Sequence, residues 1–329
     1  MGKAAAPSLT GILRPLARDL EQVTDRLMEY LQNPVARMAA YLITAGGKRL
    51  RPALVLLAGR SGDYRRHRRE LVDLATAIEL VHTATLIHDD IIDEALLRRR
   101  QPTFHTRFGT ERAVLMGDYL YASAFSILAG LQDSYVTHHM AEVCQQMSRG
   151  EFLEVDSRFN VHLTEADYLQ IVRDKTASLI AACCHLGAHV AGTKPGTGKR
   201  LSEFGWNFGM AFQIMDDCLD LVGEEWTLGK TVRSDLEKGL LSLPMIYLAE
   251  GMSPQERESF FAPVRKRRAD RAFLSRMAAR ARRSGAVAQA MRSAESFVRE
   301  ATGAVAIQDG VASVETYRRL ARYAVAREQ

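Results

Sequence analysis

"LIHDDIID", Leu86 to Asp93, places three aspartates within five positions of an otherwise apolar run. On a helix, positions four apart share a face, so Asp89 and Asp93 align, and their stripe runs back through Thr85, His82 and Ile78. The shape returns downstream as "QIMDDCLDL", Gln213 to Leu221, where Gln213, Asp216 and Asp220 form the matching stripe. Asp90 and Asp217 sit about 100° round from their neighbours. Each i,i+4 carboxylate pair costs a few tenths of a kcal/mol through repulsion, and burial raises that cost. Hard divalent cations remove it, and Mg²⁺ favours one or two carboxylates completed by water and phosphate oxygens. Two such faces opposed in a helical bundle would hold several Mg²⁺ ions around one diphosphate. Exposed acidic helix faces are the bland alternative. The apolar neighbours and the shared DDxxD spacing count against it.

Working outward, apolar residues recur at three- and four-residue spacing over long windows. The expected helices are 52–58, 70–97, 111–131, 136–155, 165–191, 199–221 and 241–249, with several more after Pro254. Thr164 followed by Asp167 resembles a capping box. Breakers fall at "AGGKRLRP", "RRRQPTFHTRFG", "GTKPGTG" and "GEEWTLGKTVRSDLEKG", none long or polar enough for a domain linker, and no convincing alternating strand is visible. The expectation is an all-α fold: one domain over 1–329, with 1–20 a loose N-terminal segment.

A diphosphate needs cations, and they stand beside the breakers. Lys48, Arg49 and Arg51 precede or flank Pro52, a good first helical residue, and Gly46 and Gly47 permit a tight turn. Arg98, Arg99 and Arg100 follow the first aspartate helix, and arginine's rigid fork suits phosphate oxygens. Lys175-Thr176 lies mid-helix, and Lys230 follows the second cluster. Each is ordinary alone; their order is what carries information.

Bulk properties set limits. Of 329 residues, 47% are hydrophobic and 25% charged, a balance typical of globular proteins. No uninterrupted apolar run approaches bilayer length and no signal-like segment opens the chain, so a cytoplasmic location is expected. Cys144, Cys183, Cys184 and Cys218 lack zinc spacing and read as buried thiols. The net charge of +5 gathers in 65–69 and 264–283, but no aromatic-interleaved or zinc motif accompanies these runs. They read as solvated surface, and nucleic acid is not an expected partner.

With these motifs in place, the sequence resembles the trans-isoprenyl diphosphate synthase (polyprenyl synthetase) family. The likeness runs from "GGKRLRP" through "HTATLIHDDIIDEALLRRRQPT", "LMGDYLYASAF", "DKTASLI" and "FGMAFQIMDDCLDLVG" to "LGKTVRSDLEKGLLSLP". It implies a bundle of long antiparallel helices around a deep central cavity, usually as a homodimer. It also implies a reaction, the extension of an allylic diphosphate by isopentenyl diphosphate with release of pyrophosphate. Carried onto matching positions, Asp89, Asp93 and Asp216 would bind Mg²⁺, three ions per site, with Asp90, Asp217 and Asp220 in support. Lys48, Arg51, His82 and Arg99 would hold isopentenyl diphosphate. Arg98, Lys175, Thr176, Gln213 and Lys230 would hold the allylic diphosphate or its leaving group.

The chemistry agrees with those roles. Breaking the allylic C–O bond leaves a carbocation and a highly charged pyrophosphate, which preorganised cations stabilise. Apolar walls would shield the cation from water. No side chain is an obvious base for the final proton, so a pyrophosphate oxygen is the candidate.

Positions before Asp89 on its helix, Thr85, Ala84, Val81 and Ala77, would line the channel for the growing tail. Short-chain members of the family carry bulky aromatics where this chain has Ala84 and Thr85, so the expected product is longer than geranylgeranyl. "HTATLIHDD" and "GEFLEV" look most like octaprenyl and heptaprenyl types, although Phe125 or Leu128 could set an earlier floor. Three positions depart from the pattern: Arg100 and Arg233 replace glycines, and Leu240 stands where lysine is common. Some catalytic subunits of two-component heptaprenyl synthases resemble this sequence in the last departure, which leaves room for a small accessory chain. Peripheral membrane contact would serve product release. Among rivals, a terpene cyclase would need a different second metal motif and has no use for "GGKRLRP". A regulatory subunit would be expected to have lost one aspartate cluster.

Overall fold

The computed structural model describes residues 8–32, 35–40, 47–99, 101–222, 234–306 and 313–326. Gly46, Arg100, Lys230 and Arg233 lie outside the described residues. The three- and four-residue apolar spacing is realised as helices almost throughout, and the fold is all-α. The chain resolves into two compact units.

The first unit comprises 1–142, 180–205 and 304–320. It contains α1 (Leu9–Leu13), α2 (Ala17–Tyr30), α3 (Leu50–Gly59), α4 (Arg68–Ile92), α5 (Phe104–Phe108) and α6 (Thr110–Gly130). In α3 every residue except Arg51 is buried, the signature of a helix apolar all round. Helix α4, which carries the first aspartate cluster, packs mainly on α6, and also on α3 and α2. Within the 1–20 segment read as loose, Leu9, Ile12, Leu13 and Leu16 are buried.

By length and composition alone, α4 and α6 are apolar enough to cross a membrane, a test that buried core helices also meet. In α4 most of that apolar span is buried; in α6 less than half is.

The structure corrects the end of the aspartate helix. The sequence suggested helix to Leu97, yet α4 stops at Ile92 with Asp93 as its C-cap. Glu94 is left-handed (φ 50°), and the Ala95 N–H donates to the Asp90 carbonyl at 2.9 Å. This is a Schellman-type stop without the glycine that would have announced it. Asp93 N–H still donates to the Asp89 carbonyl at 2.8 Å, so the two carboxylates keep their shared face. A two-residue ribbon follows, β1 (Leu97–Arg98) antiparallel to β2 (Gln101–Pro102), which the sequence did not suggest.

The second unit comprises 143–179, 206–303 and 321–329. Its core gathers Tyr168, Ile214, Met245, Ile246, Phe261 and Met277. α7 (Ser134–Ser157) enters it from the first unit's stretch of chain, and α8 (Glu165–Val172) opens with the expected box: Asp167 N–H donates to Thr164 Oγ1, and Thr164 N–H to the Asp167 carboxylate. The continuous helix expected over 165–191 is interrupted by a π-helical turn, Arg173–Ala177, before α9 (Ser178–Val190). Arg149 grips Asp174 with two hydrogen bonds of 2.8 and 2.9 Å. Gly150 lets the bulge close in, since a Cβ there would lie 2.6 Å from the Lys175 backbone nitrogen. The second aspartate cluster ends α10 (Pro195–Val222).

Cys183, Cys184 and Cys218 are buried and Cys144 half-buried. Burial pushes the Cys144 thiol up to about 11 and those of Cys183 and Cys218 to about 12, so these are packing residues.

Candidate active site

In the first unit, α4 presents Glu79, His82, Thr83, Leu86, Ile87 and Asp90 to a cavity that Arg49, Arg98, Arg99 and Gln101 complete. Helical spacing explains why these α4 residues converge, because 79, 82/83, 86/87 and 90 fall on one stripe. Asp89 and Asp93 are half-buried, whereas Asp90 is 2% exposed. Asp90 is the structural member: Arg98 Nε donates to both its oxygens, at 2.8 and 3.0 Å. Burial raises the Asp90 carboxyl, and those Arg98 bonds pull it back down. The β1–β2 ribbon aims Arg98 at Asp90, while Arg99 adopts a left-handed backbone (φ 51°).

Arg51 Nη1 lies 3.0 Å from His82 Nε2. A guanidinium only donates, so Nε2 must be the acceptor and the neutral ring carries its proton on Nδ1. Burial holds the His82 imidazole well below its ordinary value, and Arg51, Arg98, Arg99 and Arg49 push the same way. As pH falls below about 6.5, the unfolded chain takes up a proton that folded His82 refuses, so stability present above that pH is lost below it. Urea melts at pH 7.5 and 5.5 should show the native chain losing up to about 1 kcal/mol per pH unit more than a His82→Gln variant.

Glu79 was not picked out from the sequence. Its carboxylate accepts from Arg49 Nη1 at 2.6 Å, so Arg49, read as one more phosphate donor, is engaged internally. A lone glutamate among Ile78, Leu80 and Val81 was the available signal. Lys48 is exposed beside this segment.

In the second unit, the stripe read as Gln213–Asp216–Asp220 is used differently. Gln213 turns to Asp217: Thr176 Oγ1 donates to Gln213 Oε1 (3.0 Å), and Gln213 Nε2 donates to Asp217 Oδ1 (2.8 Å). Tyr168, a second residue missed in the sequence, donates its hydroxyl to Asp217 Oδ2 at 2.6 Å. Burial pushes the Asp217 carboxyl up to about 7, opposed by the bonds from Tyr168 and Gln213. Asp216 is half-buried and Asp220 3% exposed. The π turn brings Lys175 Nζ to Glu151 (2.7 Å) and Glu154 (2.5 Å), carboxylates of "GEFLEV" that the sequence reading had not assigned.

Among the described residues no three His, Cys, Asp or Glu side chains converge as a ready-made metal cage. The oxygen-only donors of Asp89 and Asp93, four apart at a helix end, suit a hard cation that keeps waters and phosphate oxygens.

An all-α chain with a helix-end carboxylate pair beside a cluster of guanidinium groups is suited to phosphate-bearing ligands and hard cations. The chain belongs to the polyprenyl synthetase family, whose model matches residues 32–280. It is a prenyltransferase, and members of the family join isopentenyl diphosphate to an allylic diphosphate in a Mg²⁺-dependent reaction. It is 41% identical over 235 residues to heptaprenyl diphosphate synthase component 2 of Geobacillus stearothermophilus, covering 70% of this chain and 73% of that one. It is 36% identical over 244 residues to a short chain isoprenyl diphosphate synthase of Methanothermobacter thermautotrophicus, covering 72% and 74%. A crystal structure of a Caulobacter crescentus polyprenyl synthase, complexed with calcium and isoprenyl diphosphate, matches with a TM-score of 0.91 and 32% identity, covering 99% of this chain and 100% of that one.

Proposed function

We propose that this chain, acting as one catalytic domain, extends an allylic diphosphate by head-to-tail 1′–4 condensation with isopentenyl diphosphate to a long all-trans polyprenyl diphosphate, beyond geranylgeranyl. The observation that carries the reading is the α4 cavity, where Arg49, Arg98 and Arg99 gather with a neutral His82 and Asp90 at the helix end that carries Asp89 and Asp93. Lys48, Arg51, His82 and Arg99 hold isopentenyl diphosphate. Arg98, Lys175, Thr176, Gln213 and Lys230 serve the allylic diphosphate. Asp89, Asp93 and Asp216 would hold Mg²⁺, three ions in all, which would supply positive charge to the leaving pyrophosphate. Asp90, Asp217 and Asp220 act in support, since Asp90 and Asp217 spend their oxygens on Arg98, Tyr168 and Gln213. Relatives include both short- and long-chain synthases, so product length rests on the small residues Ala84 and Thr85.

Purified chain incubated with Mg²⁺, farnesyl diphosphate and isopentenyl diphosphate should release pyrophosphate. Turnover only after a second chain is added would favour a heteromer; no condensation in either case would contradict the reading.

We also propose a homodimer. Helix α6 leaves Val114 43% and Leu115 67% exposed, an apolar stretch on a helix that is itself long and apolar. Leu115→Glu should shift the sedimentation coefficient from dimer to monomer, and an unchanged value would remove α6 from the interface.

A further inference from the structure

The Arg49–Glu79 pair poses an electrostatic puzzle. A carboxylate beside an anion site should repel the anion, yet Glu79 sits among the arginines with its side chain 8% exposed. Its helical neighbours Ile78 and Leu80 are fully buried, so an apolar residue would have suited the helix. Arg49, with its side chain 15% exposed, is as unusual in its backbone. It is left-handed, φ 46° and ψ 37°, where it caps the start of α3. For a residue other than glycine that conformation is sparsely populated and persists only when its surroundings hold it. The ion pair to Glu79 supplies the hold.

Two anchors then act within three residues. Arg49 is tied to Glu79, and Arg51 to His82, which lies one helical turn further along α4. On the other flank Gly47 lies against Arg99: a Cβ at Gly47 would be 3.2 Å from Arg99 Nη1. Lys48 is the residue between these fixed points. Glu79 also offsets the crowding of like charges, because its field opposes the effects of burial and of Arg98 and Arg49 on the Arg99 guanidinium.

We infer that Arg49 and Glu79 form a positioning pair, which fixes the 47–51 segment so that Lys48, Arg51 and Arg99 are arranged for a diphosphate before it arrives. Preorganisation of this kind appears as affinity, since the cost of ordering is met on folding. The inference rests on the reading above that these three cations hold isopentenyl diphosphate.

The test separates positioning from structural support. Glu79→Gln should raise the KM for isopentenyl diphosphate about tenfold or more, since ångström-scale misplacement has effects of that order. The KM for the allylic diphosphate should stay within about twofold. The double variant Glu79→Met/Arg49→Met replaces a buried ion pair by two apolar side chains, an exchange that commonly preserves stability. It should melt close to the native chain and keep the raised KM. A double variant with native KM for isopentenyl diphosphate, or single variants that raise both KM values alike, would overturn the inference. Arg51→Ala provides the benchmark. If it too leaves the isopentenyl diphosphate KM unchanged, the underlying site assignment fails together with the pair; if it raises that KM while the pair variants do not, the pair alone is wrong.

Discussion

Replacing Asp89 with asparagine is expected to lower turnover about 10³-fold, the loss that follows when a group stabilising leaving-group charge is removed. Asparagine keeps the shape and the helix, and only the charge is lost. Asp89 faces Asp93 one turn away, so the substitution relieves a like-charge pair and the melting temperature should hold or rise slightly. Its neighbour makes the contrast. Asp90 is buried and holds Arg98 through both oxygens, so Asp90→Asn should cost about 1–3 kcal/mol of stability, with the exposed side of Arg98 moderating the loss. Kinetics and thermal melts on the two variants therefore separate adjacent aspartates by role. Equal activity losses, each tracking a loss of fold, would argue that Asp89 has no part in catalysis.

Ala84→Phe is expected to shorten the product sharply, from chains beyond geranylgeranyl to farnesyl or geranylgeranyl length. Ala84 is completely buried and Thr85 half-buried, with the Thr85 hydroxyl donating to the His82 carbonyl at 2.7 Å. If the growing tail runs along α4 as proposed, a phenyl ring at 84 takes the space it would use. Overpacking should also cost about 1–3 kcal/mol, so melting is recorded alongside chain length. The first condensation should persist, because Asp89, His82 and the arginines are untouched. An unchanged product distribution would show that growth is limited elsewhere, with Phe125 and Leu128 on α6 the next residues to vary.

What could be read from the chain follows from which signals are local. The all-α fold, the capping box at Thr164 and the shared face of Asp89 and Asp93 are set by spacing, and spacing is written in the sequence. The stop at Asp93 was hidden because Glu94, and no glycine, takes the left-handed position. The π turn at 173–177 was hidden because its causes are distant: Arg149 and Gly150 lie on another helix. Site residues divided the same way. The aspartates and the cation runs were visible as clusters. Glu79, Tyr168, Glu151 and Glu154 were invisible singly, since each gains meaning only from the arginine, aspartate or lysine it meets in space. Glu79 could have been flagged by the logic that flagged the aspartates, a charge placed where its helix wants an apolar side chain. Gln213 shows that a helical stripe has width, because Asp217, four residues on, is as much its neighbour as Asp216, and the amide is spent there.

The most direct test of the account is reversed-phase sizing of the prenyl alcohols recovered after phosphatase treatment, from purified chain supplied with Mg²⁺, farnesyl diphosphate and excess isopentenyl diphosphate. The expected products are all-trans alcohols longer than geranylgeraniol, made by this chain alone. Products no longer than geranylgeraniol, or no elongated product at all, would contradict it.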